Sequence, residues 1–216
     1  MNFLQDQDVN EIIVNPDTRI WVDTFSKGRV LTARQREIIL GAIRDRKNII
    51  AAGGTKSGKT TFLNAILAEI SRSDDRIVML EDTRKLKCAA RNYLSLKVTE
   101  NCSMSDLLRD TLRATPDRIV VGEVRGDEAL ALLDAWNTGH DGGCSTVHSS
   151  SAMLTLRRLE QLVSRVSVTP QQETIAGAVD VIVYLRRKGT GRVVEEILSI
   201  DGYDGEKGRY ITHPLQ

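Results

Sequence analysis

A short glycine-containing stretch near residue 55 limits the folds open to this chain more than any other segment: Gly53-Gly54-Thr55-Lys56-Ser57-Gly58-Lys59-Thr60. It fits the pattern G-x-x-x-x-G-K-[ST], in which a loop of backbone N–H groups surrounds an anion. The apolar residues 48–52 precede it, and residues 61–70 follow with apolar side chains at helical spacing. A strand, a glycine-rich loop and a helix in this order predict a phosphate-binding P-loop rather than a turn that binds nothing.

Each residue type in this loop has a chemical reason to be there. Glycine lets the backbone approach a phosphate closely, and the helix N-terminus adds partial positive charge. Lys59 is expected to reach the β- and γ-phosphates, and the Thr60 hydroxyl to ligate Mg²⁺. The predicted phosphate-binding residues are Gly53, Gly54, Thr55, Lys56, Ser57, Gly58, Lys59, Thr60 and Thr61.

Composition indicates one enzyme-sized domain. The 216 residues suffice for one sizeable core. The 30 Lys and Arg nearly balance 29 Asp and Glu, so bulk charge does not predict nucleic-acid binding, and we expect no direct sequence-specific contact with nucleic acid. No apolar run approaches the ~20 residues of a membrane span. The first residues lack the features of a signal peptide, and we expect a cytoplasmic protein.

The cysteines predict free thiols. Cys88, Cys102 and Cys144 are odd in number and irregular in spacing, which is typical of a reducing compartment. His140, Cys144 and His148 lie four residues apart and would share one face of a helix, as zinc ligands can. However, Gly142-Gly143 interrupts the series and Cys144 starts a strand-like run, so we do not expect a zinc site.

The chain alternates between strand-like and helix-like segments after a short β prelude. Residues 9–23 read as a hairpin turning at Asn15-Pro16-Asp17, and residues 27–29 read as a linker. Thr32 and Gln35 form a capping box that starts a helix reaching about Arg46. Ser105 is expected to cap a helix, and Thr169, with Pro170 at the first helical position, another.

Beyond the P-loop, the remaining segments predict a largely parallel sheet. Several of the apolar runs do not alternate with polar residues, as expected for strands buried on both faces. The predicted strands are residues 76–80, 118–121, 146–147, 181–185 and 193–200, the last two forming a hairpin around residues 189–191. The predicted helices, besides those already given, are residues 127–137 and an apolar stripe over 152–166.

Polar residues end several of these strands. In open α/β sheets the ligand crevice lies at the carboxyl ends of the strands. Glu81-Asp82 ends one strand, Gly122-Glu123 another, and His148 follows a third. Taken with the P-loop, they predict one site rather than unrelated strand ends.

The residue types suit phosphoanhydride hydrolysis. Glu123 is the leading candidate to orient or deprotonate water and to contact Mg²⁺. Glu81 or Asp82 would organise the metal or the water, and His148 would sense or stabilise the γ-phosphate. Arg125 and Arg113 are candidates for offsetting phosphate charge, although Arg113 equally fits a cation at a helix C-terminus.

Four motifs, in order, resemble those of the type II and type IV secretion and conjugation ATPases. They are GGTKSGKTT at residues 53–61, LEDTR at 80–84 (the Asp box), PDRIVVGEVRG at 116–126 (Walker B with its Glu) and TGHDGGCSTVH at 138–148 (the His box). The resemblance runs from about Leu31 to the C-terminus. It implies a RecA-like P-loop NTPase, an α/β fold with a mostly parallel sheet flanked by helices and a short N-terminal β-hairpin.

The resemblance also implies cofactors, partners and domains. ATP and Mg²⁺ would bind, the subunits would form a homo-hexamer, and the ring would attach peripherally to inner-membrane components of a conjugation or secretion machine. Residues 1–30 would be a remnant of the family's N-terminal domain with a linker, and residues 31–216 the ATPase domain. Lys85 stands where the Asp box usually has a second Glu, and Lys56 where the loop is often small.

Three functions remain open from the sequence. The first is a transport ATPase that works as a ring and powers substrate transfer or pilus assembly. The second is a shortened, weakly or non-hydrolysing nucleotide-binding protein that assembles or regulates the same machine. The third, a small-molecule P-loop kinase, fits the length but lacks an evident arginine-rich lid. Glu123 favours the first, whereas Lys85 and the short N-terminus favour the second.

Overall fold

The computed structural model describes residues 9–14, 20–24, 31–189 and 191–215. β1 (Val9–Val14) and β2 (Ile20–Thr24) pair antiparallel in a two-stranded sheet, which confirms the predicted strands of the hairpin. The predicted turn at 15–17 and linker at 27–29 lie outside the described residues.

The rest of the described chain is built on one eight-stranded sheet. Its order is β10-β9-β8-β3-β7-β6-β4-β5. The six strands from β8 to β5 run parallel, β9 is antiparallel to both of its neighbours, and β10 therefore runs in the same direction as the six. The predicted, largely parallel sheet is therefore confirmed. The strands are β3 (Ile49–Gly53), β4 (Ile77–Glu81), β5 (Tyr93–Lys97), β6 (Arg118–Val124), β7 (Cys144–Val147), β8 (Val181–Lys188), β9 (Gly191–Asp204) and β10 (Arg209–Pro214).

Helices cover both faces of this sheet. Successive side chains of a strand point to opposite faces, and accordingly Ile49 and Ala51 belong to one apolar cluster while Ile50 and Ala52 belong to the other. The first cluster packs α1 and α2 against the sheet, and the second packs α3 to α6. The helices are α1 (Ala33–Arg44), α2 (Lys59–Ile70), α3 (Met104–Thr111), α4 (Glu128–Asn137), α5 (Ala152–Val163) and α6 (Gln172–Ala178). None of the described helices has the length and apolar character of a membrane span.

The N-terminal caps of the helices agree with the sequence predictions at one position and differ at others. The capping box of Thr32 and Gln35 is confirmed. The prediction that Ser105 caps α3 is wrong, because Ser103 is the N-cap and exchanges hydrogen bonds with Asp106. Ser105 instead lies buried in the first turn and donates to Asp127. The cap is defined by a serine and an acidic residue three positions later, Ser103 and Asp106, and the sequence analysis did not identify this pair.

The predicted cap at Thr169 is also wrong. α6 begins only at Gln172, and the Thr169 hydroxyl accepts a hydrogen bond from the Gln171 side chain instead. The apolar stripe predicted over 152–166 ends as a helix at Val163, which leaves Val166 half exposed beyond it. Residues 164–171 therefore form a loop where the sequence predicted further helical turns.

Two strands escaped prediction. β5 and β10 lie at the two ends of the sheet, where each has a single neighbour. Their residues are mostly half-buried or exposed, so neither produces a continuous apolar run. The cysteines Cys88, Cys102 and Cys144 are all free, as predicted.

Candidate functional site

The carboxyl ends of four neighbouring parallel strands bring the predicted site residues to one edge of the sheet. The P-loop follows β3, Asp82 follows β4, and His148 follows β7. Glu123 lies within β6 at a break in its register with β7, between Val121 and Val124. Such bulges re-aim side chains beside functional sites, and here the Thr146 hydroxyl donates to the Gly122 carbonyl at 2.8 Å.

The backbone of the P-loop requires glycine at two positions. Gly53 has φ 155°, and a Cβ there would lie 2.4 Å from the Leu185 carbonyl oxygen and from Ser57 Oγ. Gly58 has φ 95° and is the left-handed N-cap of α2. Lys56, between them, also has a positive φ of 59°. The loop is therefore wound tightly enough to turn its backbone around an anion.

Lys59 lies at the centre of this loop. The residue is 7% exposed, and Nζ donates to the carbonyls of Gly53 at 2.9 Å and Gly54 at 2.8 Å. Burial lowers the pKa of its ammonium group, and the nearby Glu123 carboxylate opposes that shift. Thr60 and Thr61 are exposed at the start of α2. The buried Lys59 and the exposed hydroxyls of Thr60 and Thr61 are therefore neighbours at the start of α2.

A cluster of charged side chains lies beside the loop. Arg125 donates to Glu123, and its other terminal nitrogen lies 3.4 Å from Asp82 Oδ2. His148 Nε2 lies 2.8 Å from Glu123 Oε1. Burial, followed by the charge of Lys59, lowers the pKa of His148 although Glu123 opposes this, whereas the hydrogen bond to Glu123 raises the pKa of Arg125. The predicted carboxylate, histidine and arginine thus form one contiguous cluster.

Glu81 lines the same cleft as Asp82 but differs from it in burial and in its hydrogen bonds. It is 3% exposed, and its Oε1 accepts hydrogen bonds from the backbone N–H groups of Lys85 at 2.7 Å and Leu86 at 2.8 Å. Asp82 is exposed in the cleft that also contains Thr60. Glu81 thus holds the loop after β4 through two backbone hydrogen bonds, whereas the Asp82 carboxylate is exposed in the cleft.

Two further candidates do not belong to this edge. Arg113 lies in a 3₁₀ turn after α3, just before the amino end of β6, so it lies at the opposite edge, where it pairs with Asp110 at 3.2 Å. Cys144 begins β7 and is fully buried, which raises the pKa of its thiol to about 12. Because β7 is a strand, the helical face that would join His140, Cys144 and His148 does not form.

The family model described as "Type II/IV secretion system protein" matches residues 27–196. The chain belongs to this family. Conjugal transfer protein TrbB of Rhizobium radiobacter is 50% identical over 184 residues, which are 84% of this chain and 57% of that protein. The probable conjugal transfer protein TrbB of Sinorhizobium fredii is 48% identical over 191 residues, 88% of this chain and 58% of that protein. The chain thus spans less than two thirds of the length of these secretion-family relatives.

Solved structures of the secretion family share the fold. The VirB11 ATPase from the Brucella suis type IV secretion system, solved in complex with sulphate, matches this chain with a TM-score of 0.68 and 29% sequence identity. The match covers 79% of this chain and 57% of the VirB11 chain. The pilus retraction motor PilT with bound ADP has a TM-score of 0.62 at 22% identity over 95% of this chain and 59% of that chain. The predicted RecA-like α/β fold is confirmed.

Two cations of this secretion-family chain, Lys87 and Arg192, were missed as site residues by the sequence predictions. Lys87 and Arg192 line the cleft in front of the P-loop, together with Lys56 and Lys85. Arg192 comes from β9, and its Nε donates to the Lys56 carbonyl at 3.3 Å. No motif reveals this contact, since the two residues are 136 positions apart.

The residues of the P-loop and of the adjacent carboxylate cleft fit a nucleoside triphosphate with Mg²⁺. The two tight glycines form a cradle that a Cβ would fill, and Ser57 Oγ, buried in the same loop, has no hydrogen-bond partner among the described residues. Thr60 and Asp82 offer the hard oxygen donors that Mg²⁺ prefers, and Glu123 lies in the same cleft.

Proposed function

We propose that this chain binds and hydrolyses ATP as a motor subunit of a conjugative or type IV secretion system. The observation that carries the proposal is a single edge of the sheet where the P-loop cradle meets a second cleft lined by Thr60, Asp82 and Glu123. Phosphate binding and water activation need these groups close together. The ATPases and conjugal transfer proteins among its relatives support the same assignment.

Each residue has a role in this proposal. Gly53 to Thr61 hold the phosphates, and Lys59 offsets the charge of the β- and γ-phosphates after exchanging its two loop carbonyls for phosphate oxygens. When bound by Thr60 and Asp82, Mg²⁺ supplies charge neutralisation at the phosphates. Glu123 orients the attacking water and accepts its proton, because its carboxylate borders the cleft.

Two neighbours of Glu123 complete the proposed chemistry. Arg125 offsets charge that develops on the phosphate, having first released its ion pairs with Glu123 and Asp82. His148, kept neutral by its lowered pKa, links the state of Glu123 to the γ-phosphate. Glu81 contributes by fixing the loop that follows β4.

The assembly is part of the proposal. Residues 31–216 act as the ATPase domain, and residues 1–30 belong to an N-terminal domain and its linker. Six copies form a ring in the cytoplasm that associates peripherally with inner-membrane components of the machine. The support is membership of the secretion family and similarity to type IV secretion proteins.

A second candidate is a weakly or non-hydrolysing nucleotide-binding protein that assembles or regulates the same machine. The ion pairs of Arg125 favour it, because they occupy both Glu123 and Asp82 in the isolated chain. This candidate predicts intact ATP binding without turnover at any protein concentration, whereas the motor predicts turnover that rises as subunits associate.

Equilibrium binding tests the part that both candidates share. Calorimetric titration of the chain with ATP and Mg²⁺ should show saturable binding that is lost in Lys59→Ala. Asp110→Asn, at the opposite edge of the sheet, is the control and should bind like the wild type. Equal binding by wild type and Lys59→Ala would remove the basis for both candidates.

A further inference from the structure

Lys85 lies where two clefts of the site meet. One cleft faces the P-loop and is lined by Lys59, Thr60 and Lys85 among others. The other contains the carboxylates Asp82 and Glu123, and it too is lined by Thr60 and Lys85. Thr60 is already a proposed metal ligand, but the established motifs of the chain give Lys85 no role.

The backbone of Lys85 is hydrogen-bonded to β4 through its N–H and to α2 through its carbonyl. Its N–H donates to the buried carboxylate of Glu81 at 2.7 Å, and its carbonyl accepts from Asn64 Nδ2 at 3.2 Å. Asn64 lies on α2, the helix that starts in the P-loop, and its Oδ1 also accepts from the Lys87 N–H at 2.8 Å. These contacts fix the Cα position of Lys85 relative to the phosphate cradle, while its side chain remains exposed.

Lys85 borders the cleft that contains the carboxylates of Asp82 and Glu123. The P-loop backbone holds the phosphates that di- and triphosphates share, whereas the terminal phosphate of a triphosphate would extend past Lys59 toward Thr60, Asp82 and Glu123. A lysine side chain is long enough to place its ammonium group in either cleft, and Lys85 lines both. A lysine there offers a positive charge beside carboxylates that would otherwise repel the phosphate.

We propose that Lys85 binds the terminal phosphate of a nucleoside triphosphate and so makes this chain discriminate ATP from ADP. The proposal rests on the proposed nucleotide site at the P-loop. It is specific to Lys85, because the neighbouring Lys87 lines the P-loop cleft and is not among the residues that line the carboxylate cleft.

The test compares ATP and ADP affinities by calorimetric titration of the full chain with Mg²⁺. Lys85→Gln should weaken ATP binding roughly tenfold, the size of one charge-assisted hydrogen bond, and leave ADP affinity unchanged. Lys87→Gln is the matched control, since it removes an exposed lysine from the same loop and should change both affinities by the same factor. Lys85→Glu should lower ATP affinity further than Lys85→Gln.

The outcomes distinguish failure of the Lys85 role from failure of the proposed nucleotide site. An ATP-to-ADP affinity ratio that Lys85→Gln leaves at the wild-type value overturns the role of Lys85, while the nucleotide site stands. If Lys59→Ala binds ATP as the wild type does, the nucleotide site itself fails, and the role of Lys85 fails with it. Because Lys85 is exposed, its variants should keep the wild-type thermal unfolding midpoint, which excludes misfolding as the cause of a changed ratio.

Discussion

Replacement of Glu81 tests whether its carboxylate anchors the loop after β4 or takes part in ATP hydrolysis. Its Oε1 accepts from two backbone N–H groups, those of Lys85 and Leu86, and the residue is only 3% exposed. Glu81→Ala removes the acceptor and frees the loop. Glu81→Gln keeps an oxygen that can accept both hydrogen bonds, so it preserves the geometry while removing the charge.

The structure sets the size of the effect. A hydrogen bond to a charged group contributes about 1.5–3 kcal/mol. Lys85 is exposed and its freed N–H can bind water, whereas Leu86 is half-buried. We therefore expect Glu81→Ala to lower the free energy of unfolding by about 2–4 kcal/mol, and Glu81→Gln by about 1–2 kcal/mol. Both values are large fractions of the roughly 5–15 kcal/mol of a typical domain.

Two assays report on this change. Urea unfolding measures the loss of stability, and amide hydrogen exchange at Lys85 and Leu86 measures the release of the loop directly. In Glu81→Ala both amides should exchange roughly ten- to hundredfold faster, while the neighbouring amides of β4 keep their protection. In Glu81→Gln most of the protection should remain.

The anchoring role of Glu81 can be refuted in two ways. Unchanged exchange at Lys85 and Leu86 in Glu81→Ala would show that other contacts hold the loop. Alternatively, Glu81→Gln could abolish ATP turnover as completely as Glu81→Ala while keeping both amides protected. That result would return Glu81 to the chemistry of the site, as the sequence first indicated.

Three further predictions concern the surroundings of the site. In Gly143→Ala the new Cβ would lie 2.2 Å from Trp136 Nε1, so the free energy of unfolding should fall by about 2–3 kcal/mol in urea titration; a wild-type midpoint would contradict this. Asp75→Asn should cost about 2–3 kcal/mol by the same assay, because the side chain of Arg118 is 6% exposed and loses its charged partner; a loss no larger than that of an exposed pair would contradict it. Burial lowers the pKa of His148 from the ordinary 6.5, so its NMR titration midpoint should fall below that value. The unfolded chain then binds the proton more readily, and the stability that His148 contributes is present above pH 6.5 and declines as the pH falls toward the folded pKa; a midpoint at or above 6.5 would contradict the burial argument.

The sequence predicted the sheet edge that carries the site because its signals are local. β4 and β6 are buried on both faces at their centres, which leaves unbroken apolar runs that end in Glu81 and Glu123. The P-loop adds a motif whose glycine positions follow from backbone geometry. These signals require only the spacing of residues along the chain.

Other features depend on contacts that spacing does not reveal. Arg192 reaches the P-loop only because β8 and β9 form a hairpin beside β3. Glu81 and Asp82 are adjacent in sequence, yet Glu81 is buried and accepts hydrogen bonds from its own loop, whereas Asp82 is exposed. Edge strands such as β5 lack an apolar run, because a second neighbouring strand is missing within the described sheet.

Glu123→Gln is the variant that tests most directly whether this chain is an ATP-hydrolysing motor subunit. Steady-state Mg²⁺-dependent ATP turnover is measured across a wide range of protein concentration for the wild type and for this variant. We expect that turnover per chain rises with concentration in the wild type and falls by about 10²–10⁴-fold in Glu123→Gln, while ATP binding persists. Flat wild-type turnover that equals that of Glu123→Gln at every concentration would contradict the motor and leave the nucleotide-binding assembly protein.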